Sequence, residues 1–346
     1  MERRFLGRSG LEVSTLSFGV MTFGDGSGRF GAIGNTQNED ARRQIDMAID
    51  AGVTLFDTAD VYSRGQSEEI LGQALGDRRH RVLIATKVFG RMGKGDMDWG
   101  LSRRHIVAAC DHSLRRLKTD WIDLYQVHNV DTKVPMEEAL RTLDDLVRAG
   151  KVRYVGCSNH FAWQLTKALG VSERLGLERY VSQQIQYSLL VRDAEIELLP
   201  AGVDQGVGAL IWSPLAQGYL SGKFRGGAQQ GARLVSWGQF STFDTERGRK
   251  VVDILAEIAA AHVGASPSQV ALNWLLARAG VTSVIVGART EAQLKDNLAA
   301  ATWRLSTDEI VRLDEASELP AGYPHSTHKV FHPERNPAFG SRSTAE

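Results

Sequence analysis

The sequence predicts an α/β fold: a (β/α)8 TIM barrel with an N-terminal β-hairpin, long loops after its strands and an extended C-terminal tail. Three observations predict it. Short apolar runs rich in β-branched residues alternate along the chain with longer amphipathic stretches. Several of those runs are apolar almost throughout, as strands covered on both faces must be. The chain's 346 residues also exceed the ~250 of a minimal barrel of this kind while staying within the range of one domain. We therefore read 1–346 as a single domain, with 320–346 as an irregular tail.

Before the alternation begins, Arg3–Leu6 and Glu12–Ser14, parted by Ser9-Gly10, read as a hairpin able to plug the bottom of the barrel. Eight strands are expected at Leu16–Gly19, Leu55–Thr58, Val82–Val88, Ile122–Val127, Tyr154–Ser158, Ser182–Gln186, Ala209–Ser213 and Ser283–Gly287. Helical patterns fall at Glu39–Ala51, Ser67–Leu75, Arg103–Leu117, Met136–Ala149, Ala162–Leu169, Ala194–Asp204, Ser268–Ala277 and Glu291–Ala300. Gly52 and Gly150 stand just past two helix ends, and Ser266-Pro267 opens a later helix with proline near its first turn. Regular strand–helix alternation implies parallel pairing, and eight parallel strands close into a barrel. An open, doubly wound sheet would need a Gly-rich phosphate turn after its first strand. Gly24-Asp-Gly26-Ser-Gly28 has another spacing and no helix directly behind it.

Three segments lie outside the pattern. Thr22–Asn38 is a long glycine-rich loop. Lys223–Thr245 is an insertion carrying Trp237, Phe240 and Phe243, followed by a helical pattern over Glu246–His262. Long loops in a compact domain are commonly functional, and these aromatics, with Trp99, suit either the wall of a pocket for a bulky apolar ligand or the packing of the loops themselves. Beyond Leu319 the proline-rich tail shows no periodicity.

Composition excludes several classes. Lys plus Arg equals Asp plus Glu, 41 each, so nucleic acid is not expected as a partner. The first residues lack the apolar run of a secretion signal, and no stretch approaches the ~20 apolar residues of a membrane span. Cys110 and Cys157 are too few for a disulfide framework and read as reduced, buried thiols, consistent with a cytoplasmic protein. His325, His328 and His332 have suggestive spacing but no acidic or cysteine companion, so no metal is expected.

Polar residues interrupt the strands where they end. Asp57 ends the second strand, Lys87 the third and His128 the fourth, with Tyr62 five residues after Asp57. In a (β/α)8 barrel those ends form the rim where active sites are built. A lone Asp, Lys or His at a strand end is more often a surface ion pair or helix cap. Together they suit reduction of a carbonyl, which leaves an alkoxide in need of a proton. Tyr62 can donate it, an ammonium at Lys87 should lower the phenol's pKa, and Asp57 should keep Lys87 charged. A neutral His128 can hydrogen-bond the carbonyl oxygen.

Asp57-Thr-Ala-Asp-Val-Tyr62, Ser67-Glu-Glu-Ile-Leu-Gly72, Ala85-Thr-Lys87, Asp123-Leu-Tyr-Gln-Val-His128 and Gly150-Lys-Val-Arg-Tyr-Val-Gly-Cys-Ser-Asn159 follow one another in the chain. Taken together they resemble the signature blocks of the aldo-keto reductase superfamily, most closely its bacterial and potassium-channel β-subunit-like branches. The resemblance implies an NADP-dependent oxidoreductase acting on CH–OH groups, with Asp57, Tyr62, Lys87 and His128 catalytic and a small carbonyl compound as substrate. It also implies NADPH as cofactor, with NADH a weaker alternative. Ser158, Asn159 and Gln184 would hold the carboxamide, and Trp212 would stack on the nicotinamide. Ser213, Pro214, Leu215, Gln217 and Gly218 would cover the pyrophosphate. Gly287, Arg289, Gln293, Asp296 and Asn297 would form the adenosine site, and Lys223, Arg289 and Arg233 would meet the 2′-phosphate. Two other classes stay open at this point: a redox-sensing cofactor-binding subunit with slow turnover, and a Schiff-base lyase using Lys87.

Overall fold

The computed structural model describes residues 1–26, 34–229, 232–320 and 322–331, with backbone only for Arg233 and 328–330. Its strands are β1 (Arg3–Phe5), β2 (Glu12–Ser14), β3 (Leu16–Gly19), β4 (Leu55–Asp57), β5 (Leu83–Val88), β6 (Ile122–Val127), β7 (Val152–Ser158), β8 (Tyr180–Gln186), β9 (Gly208–Trp212) and β10 (Val281–Val286). Strands β3 to β10 close into a barrel in sequence order, each paired in parallel with the next and β10 returning to β3. The barrel predicted from the alternation is therefore the fold.

The helices are α1 (Asn38–Asp50), α2 (Gln66–Leu75), α3 (Arg103–Leu117), α4 (Met136–Arg148), α5 (Ala162–Leu175), α6 (Leu198–Gln205), α7 (Arg233–Ser236), α8 (Phe240–Phe243), α9 (Glu246–Ala261), α10 (Pro267–Leu276), α11 (Glu291–Ala299), α12 (Thr307–Ala316) and α13 (His325–Val330). Local chemistry sets many of their ends. The Ser102, Ser266, Thr290 and Ser306 side chains accept from the third backbone N–H beyond them, satisfying donors that the helix itself cannot. Gly52 and Gly150 take positive φ just past α1 and α4, as their positions in the sequence predicted.

Two cores result. The larger lies between the barrel and its helices, and the smaller fills the barrel's lower end. There Leu6, Leu11 and Val13 of the hairpin pack against Leu55, Ala85, Leu124, Leu210 and Ile285 from the strands. The hairpin is thus the plug, and the opposite end is left for polar groups. In α2, a Cβ on Gly72 would lie 2.5 Å from the backbone carbonyl of Leu117, so only glycine lets α2 approach α3 this closely.

Several boundaries differ from expectation. The pattern over Ala194–Asp204 splits into a turn at Asp193–Glu195 and α6 from Leu198. The tail, read as irregular over 320–346, contains the short helix α13, whose His325 approaches Glu197 at 3.9 Å. His332 lies outside the described residues, as does the side chain of His328. The glycine-rich loop is described except for 27–33. Among the described residues no helix is long and apolar enough to cross a membrane.

Candidate active site

The strand ends opposite the plug enclose a cleft of about 460 Å³. Parallel register brings its side chains together: Asp57 pairs with Ala85, Lys87 with Gln126, and Ser158 with Gln184 across neighbouring strands. Lys87 is fully buried beneath the cleft. Its Nζ donates to Asp57 Oδ1 at 2.6 Å and to the Thr58 carbonyl at 2.7 Å, and lies 3.4 Å from the Tyr62 hydroxyl. The second carboxylate oxygen of Asp57 accepts from Gln184 Nε2 at 2.7 Å and from Gln126 Nε2 at 3.4 Å. Asp57 is therefore bound on both oxygens. Gly156 on β7 stands beside Gln126, and a Cβ there would lie 2.3 Å from Ser182 Oγ and 3.3 Å from Gln126 Cγ, so glycine leaves room for both side chains.

Tyr62 faces His128 edge-on, with ring centroids 5.8 Å apart and planes at 83°. His128 is held by its backbone: its N–H donates to Val88 O at 2.9 Å, and its carbonyl accepts from Asn159 Nδ2 at 3.1 Å. Burial, aided by the Lys87 charge, pushes its imidazole down to about 3, so the ring is neutral at ordinary pH. Burial alone would depress the Lys87 ammonium, but Asp57 and Tyr62 reverse that and raise it. Tyr62 departs from the sequence expectation. Burial raises its phenol above the usual value, and Asp57 and Asp60 add to that, while Lys87 only opposes them. The cation limits a penalty rather than producing an acidic phenol.

Asp57, Tyr62 and His128 line the cleft, and so does every residue expected at the cofactor from the sequence except Arg233, whose side chain lies outside the described ones. Asn159 holds the Trp212 indole N–H at 3.3 Å. Asp296 is fixed by Ser266 Oγ and Gln269 Nε2, both at 2.7 Å, and Arg289 N–H donates to Gln293 Oε1 at 2.9 Å. Lys223 reaches back over the loop after β9: its Nζ lies 3.1 Å from where a Gly218 Cβ would stand. Among the described residues, Ser63, Arg64, Asn159, Ser213, Ala216 and Gln217 on rim loops are non-glycine residues at positive φ. Such backbone strain concentrates at binding sites, where surrounding contacts hold it.

Met21, Thr22 and Ser268 also line the cleft and were not anticipated. Thr22 Oγ1 donates to Ala288 O at 3.0 Å, joining the first rim loop to the last. Of the aromatics suited to a pocket wall, Trp237 does line the cleft. Phe240 and Phe243 instead pack with Tyr219, and Phe240 also meets Phe224, so they fasten the insertion to the loop after β9. Trp99 packs edge-on against Phe89 with Arg91 over its face.

Comparison with known proteins points the same way. Residues 15–318 match the model of the Aldo/keto reductase family. The chain is 37% identical to an uncharacterized oxidoreductase, YrpG, of Bacillus subtilis over 334 residues, covering 93% of this chain and 98% of the relative. It is 37% identical over 313 residues to a probable voltage-gated potassium channel subunit beta of Arabidopsis thaliana, covering 87% and 91%. It is 33% identical over 341 residues to versiconal hemiacetal acetate reductase of Aspergillus parasiticus, covering 91% and 96%.

Proposed function

The chain belongs to the aldo/keto reductase family, and from that membership we propose that it reduces an aldehyde or ketone to an alcohol with NADPH. The observation that carries this reading is the buried Lys87 ammonium, held by Asp57 on one side and set 3.4 Å from the Tyr62 hydroxyl on the other. When bound, the reduced nicotinamide would supply hydride to the carbonyl carbon. Tyr62 donates the proton to the carbonyl oxygen, and Lys87 stabilises the tyrosinate left behind. Asp57 keeps Lys87 charged and in place. Neutral His128 donates a hydrogen bond that orients the oxygen and stabilises charge developing there. In the reverse direction Tyr62 serves as the base.

The cleft suits the dinucleotide. Ser158, Asn159 and Gln184 offer hydroxyl and amide groups matched to a carboxamide, with Trp212 beside them. The positive-φ backbone at Ser213, Gln217 and Gly218 forms a loop whose amides can take phosphate oxygens, and Lys223 adds a cation there. Arg289 stands just before α11, whose N-terminus favours an anion. On this reading Lys223→Ala and Arg289→Ala each weaken NADPH roughly tenfold while changing NADH little. Direct titration of both cofactors checks this, and equal losses would show that neither residue meets the 2′-phosphate.

Trp212 and Trp237 on the cleft favour a bulky, flat carbonyl as substrate, and one relative is named as a versiconal hemiacetal acetate reductase. A panel of small aldehydes, sugars, quinones and multi-ring ketones, followed by NADPH consumption, tests the reading. Turnover confined to multi-ring compounds supports it, and no turnover of any carbonyl would favour the alternative of a redox-sensing, cofactor-binding subunit. A Schiff base at Lys87 fits poorly, since a nucleophilic amine must be neutral and Asp57 keeps this one charged.

A further inference from the structure

Gln184 stands at the end of the contacts behind the cleft. Its Nε2 donates to Asp57 Oδ2 at 2.7 Å, Asp57 Oδ1 takes Lys87 Nζ at 2.6 Å, and Lys87 Nζ lies 3.4 Å from the Tyr62 hydroxyl. A carboxylate only accepts, so the amide nitrogen is the end turned to Asp57. The amide oxygen is then the acceptor that Gln184 keeps for the cleft it lines. Its backbone is tied as well, the carbonyl accepting from Ser158 Oγ at 2.9 Å and from Asn159 N–H at 3.2 Å. Gln126 reaches the same Asp57 oxygen at 3.4 Å, so Gln184 is the main neutral donor to that carboxylate.

We infer that Gln184 is a positioning residue that couples occupancy of the nicotinamide end of the cleft to proton donation by Tyr62, an inference that rests on the reading of Tyr62 as the acid. The ligand group it would take is an N–H donor, as in a primary carboxamide. An amide whose oxygen accepts such a bond is polarised and donates more strongly through its nitrogen. A stronger bond to Asp57 Oδ2 draws the carboxylate's charge away from Lys87 and Tyr62. The groups facing Tyr62 are Asp57 from β4, Lys87 from β5, Asp60 from its own loop and His128 after β6. Burial raises the Asp60 carboxyl and keeps His128 neutral, and the largest charges acting on Tyr62 are Lys87, which favours release of its proton, and Asp57, which holds it on. Filling the nicotinamide end shifts that balance toward Lys87.

Gln184→Met, which removes the amide and keeps the bulk, tests this through the pH dependence of reduction. The expected result is a roughly tenfold fall in kcat. The alkaline limb, where Tyr62 loses its proton, should also move to higher pH, because the undispersed charge on Asp57 holds that proton more tightly. Asn159→Ala is the comparison: it should raise the cofactor Kd and leave the limb in place. Weaker cofactor binding in Gln184→Met with a pH profile superimposed on that of the unaltered enzyme would overturn the coupling. Tyr62→Phe in the same assay keeps the two readings apart. Substantial turnover there removes the acid assignment itself, whereas an inactive Tyr62→Phe beside an unmoved limb removes only the coupling. If Gln184→Met does not fold, Gln184→Asn falls one methylene short of Asp57 and carries the same expected shift at smaller size, with an unmoved limb counting against it.

Discussion

Tyr62→Phe is expected to bind NADPH normally and to lose about a thousandfold in kcat, within the range seen when a general acid is removed. The substitution deletes one oxygen and keeps the ring that meets His128 edge-on at 5.8 Å. It also leaves Lys87 its two short bonds, to Asp57 at 2.6 Å and the Thr58 carbonyl at 2.7 Å. Folding and the cleft should therefore be unchanged, and fluorescence titration with NADPH should overlay on the unaltered protein. The structure sharpens why the loss should be large. Burial raises the Tyr62 phenol, Lys87 at 3.4 Å opposes that and stabilises the tyrosinate, and phenylalanine leaves no O–H at that point to donate. Near-normal turnover in the variant would contradict the assignment.

Lys87→Met should cost both activity and stability. Lys87 is fully buried, and so, nearly, is Asp57. Removing one partner of a buried pair leaves an uncompensated charge, at a cost of about 3–5 kcal/mol. Gln184 and Gln126 still donate to Asp57 and should hold the loss toward the lower end. A thermal melt should fall by several degrees. The double variant Asp57→Asn with Lys87→Met removes both charges at once, so its melt should recover much of that drop. Its turnover should not recover, because Tyr62 is left without the cation that opposes its burial. Recovery of stability without activity separates the chemical role of the pair from its structural one. A double variant that works at the normal rate would show that the pair only holds the rim together.

Much of this arrangement is legible in the residues, and the exceptions have physical causes. Several strands stand out because burial on both faces makes them largely apolar, and a polar residue where such a run ends lies at the rim. Asp57, Lys87 and His128 announce themselves in that way. Gln126 does not: it lies within β6, and only the register that sets it opposite Lys87 brings it beneath Asp57. Gln184 is visible as a strand-end amide, yet its bond to Asp57 needs the closed barrel to bring β8 within reach of β4. Helix α12 is legible in the residues themselves, because Ser306 and Glu309 form a capping box in which each side chain bonds the other's backbone. The split before α6, the short helices of the insertion and α13 of the tail depend on packing against the barrel, which local periodicity does not report. Phe240 and Phe243 show the same limit. Aromatics in a long loop suit a pocket wall and a loop anchor equally, and only their contacts with Tyr219 decide for the anchor.

The Tyr62 phenol is the clearest case of chemistry that spacing does not settle. Adjacency to Lys87 predicted a lowered pKa, but adjacency carries no measure of desolvation, and here desolvation is the larger effect.

The central claim, hydride delivery to a carbonyl carbon in this cleft, is tested most directly by following the hydrogen itself. A carbonyl substrate found in the panel is reduced with NADPH fully deuterated at its transferring carbon, and the alcohol is examined by mass spectrometry. One deuterium on the carbinol carbon for each NADPH consumed is the predicted result. Alcohol formed without deuterium, or NADPH consumed without alcohol, would contradict it.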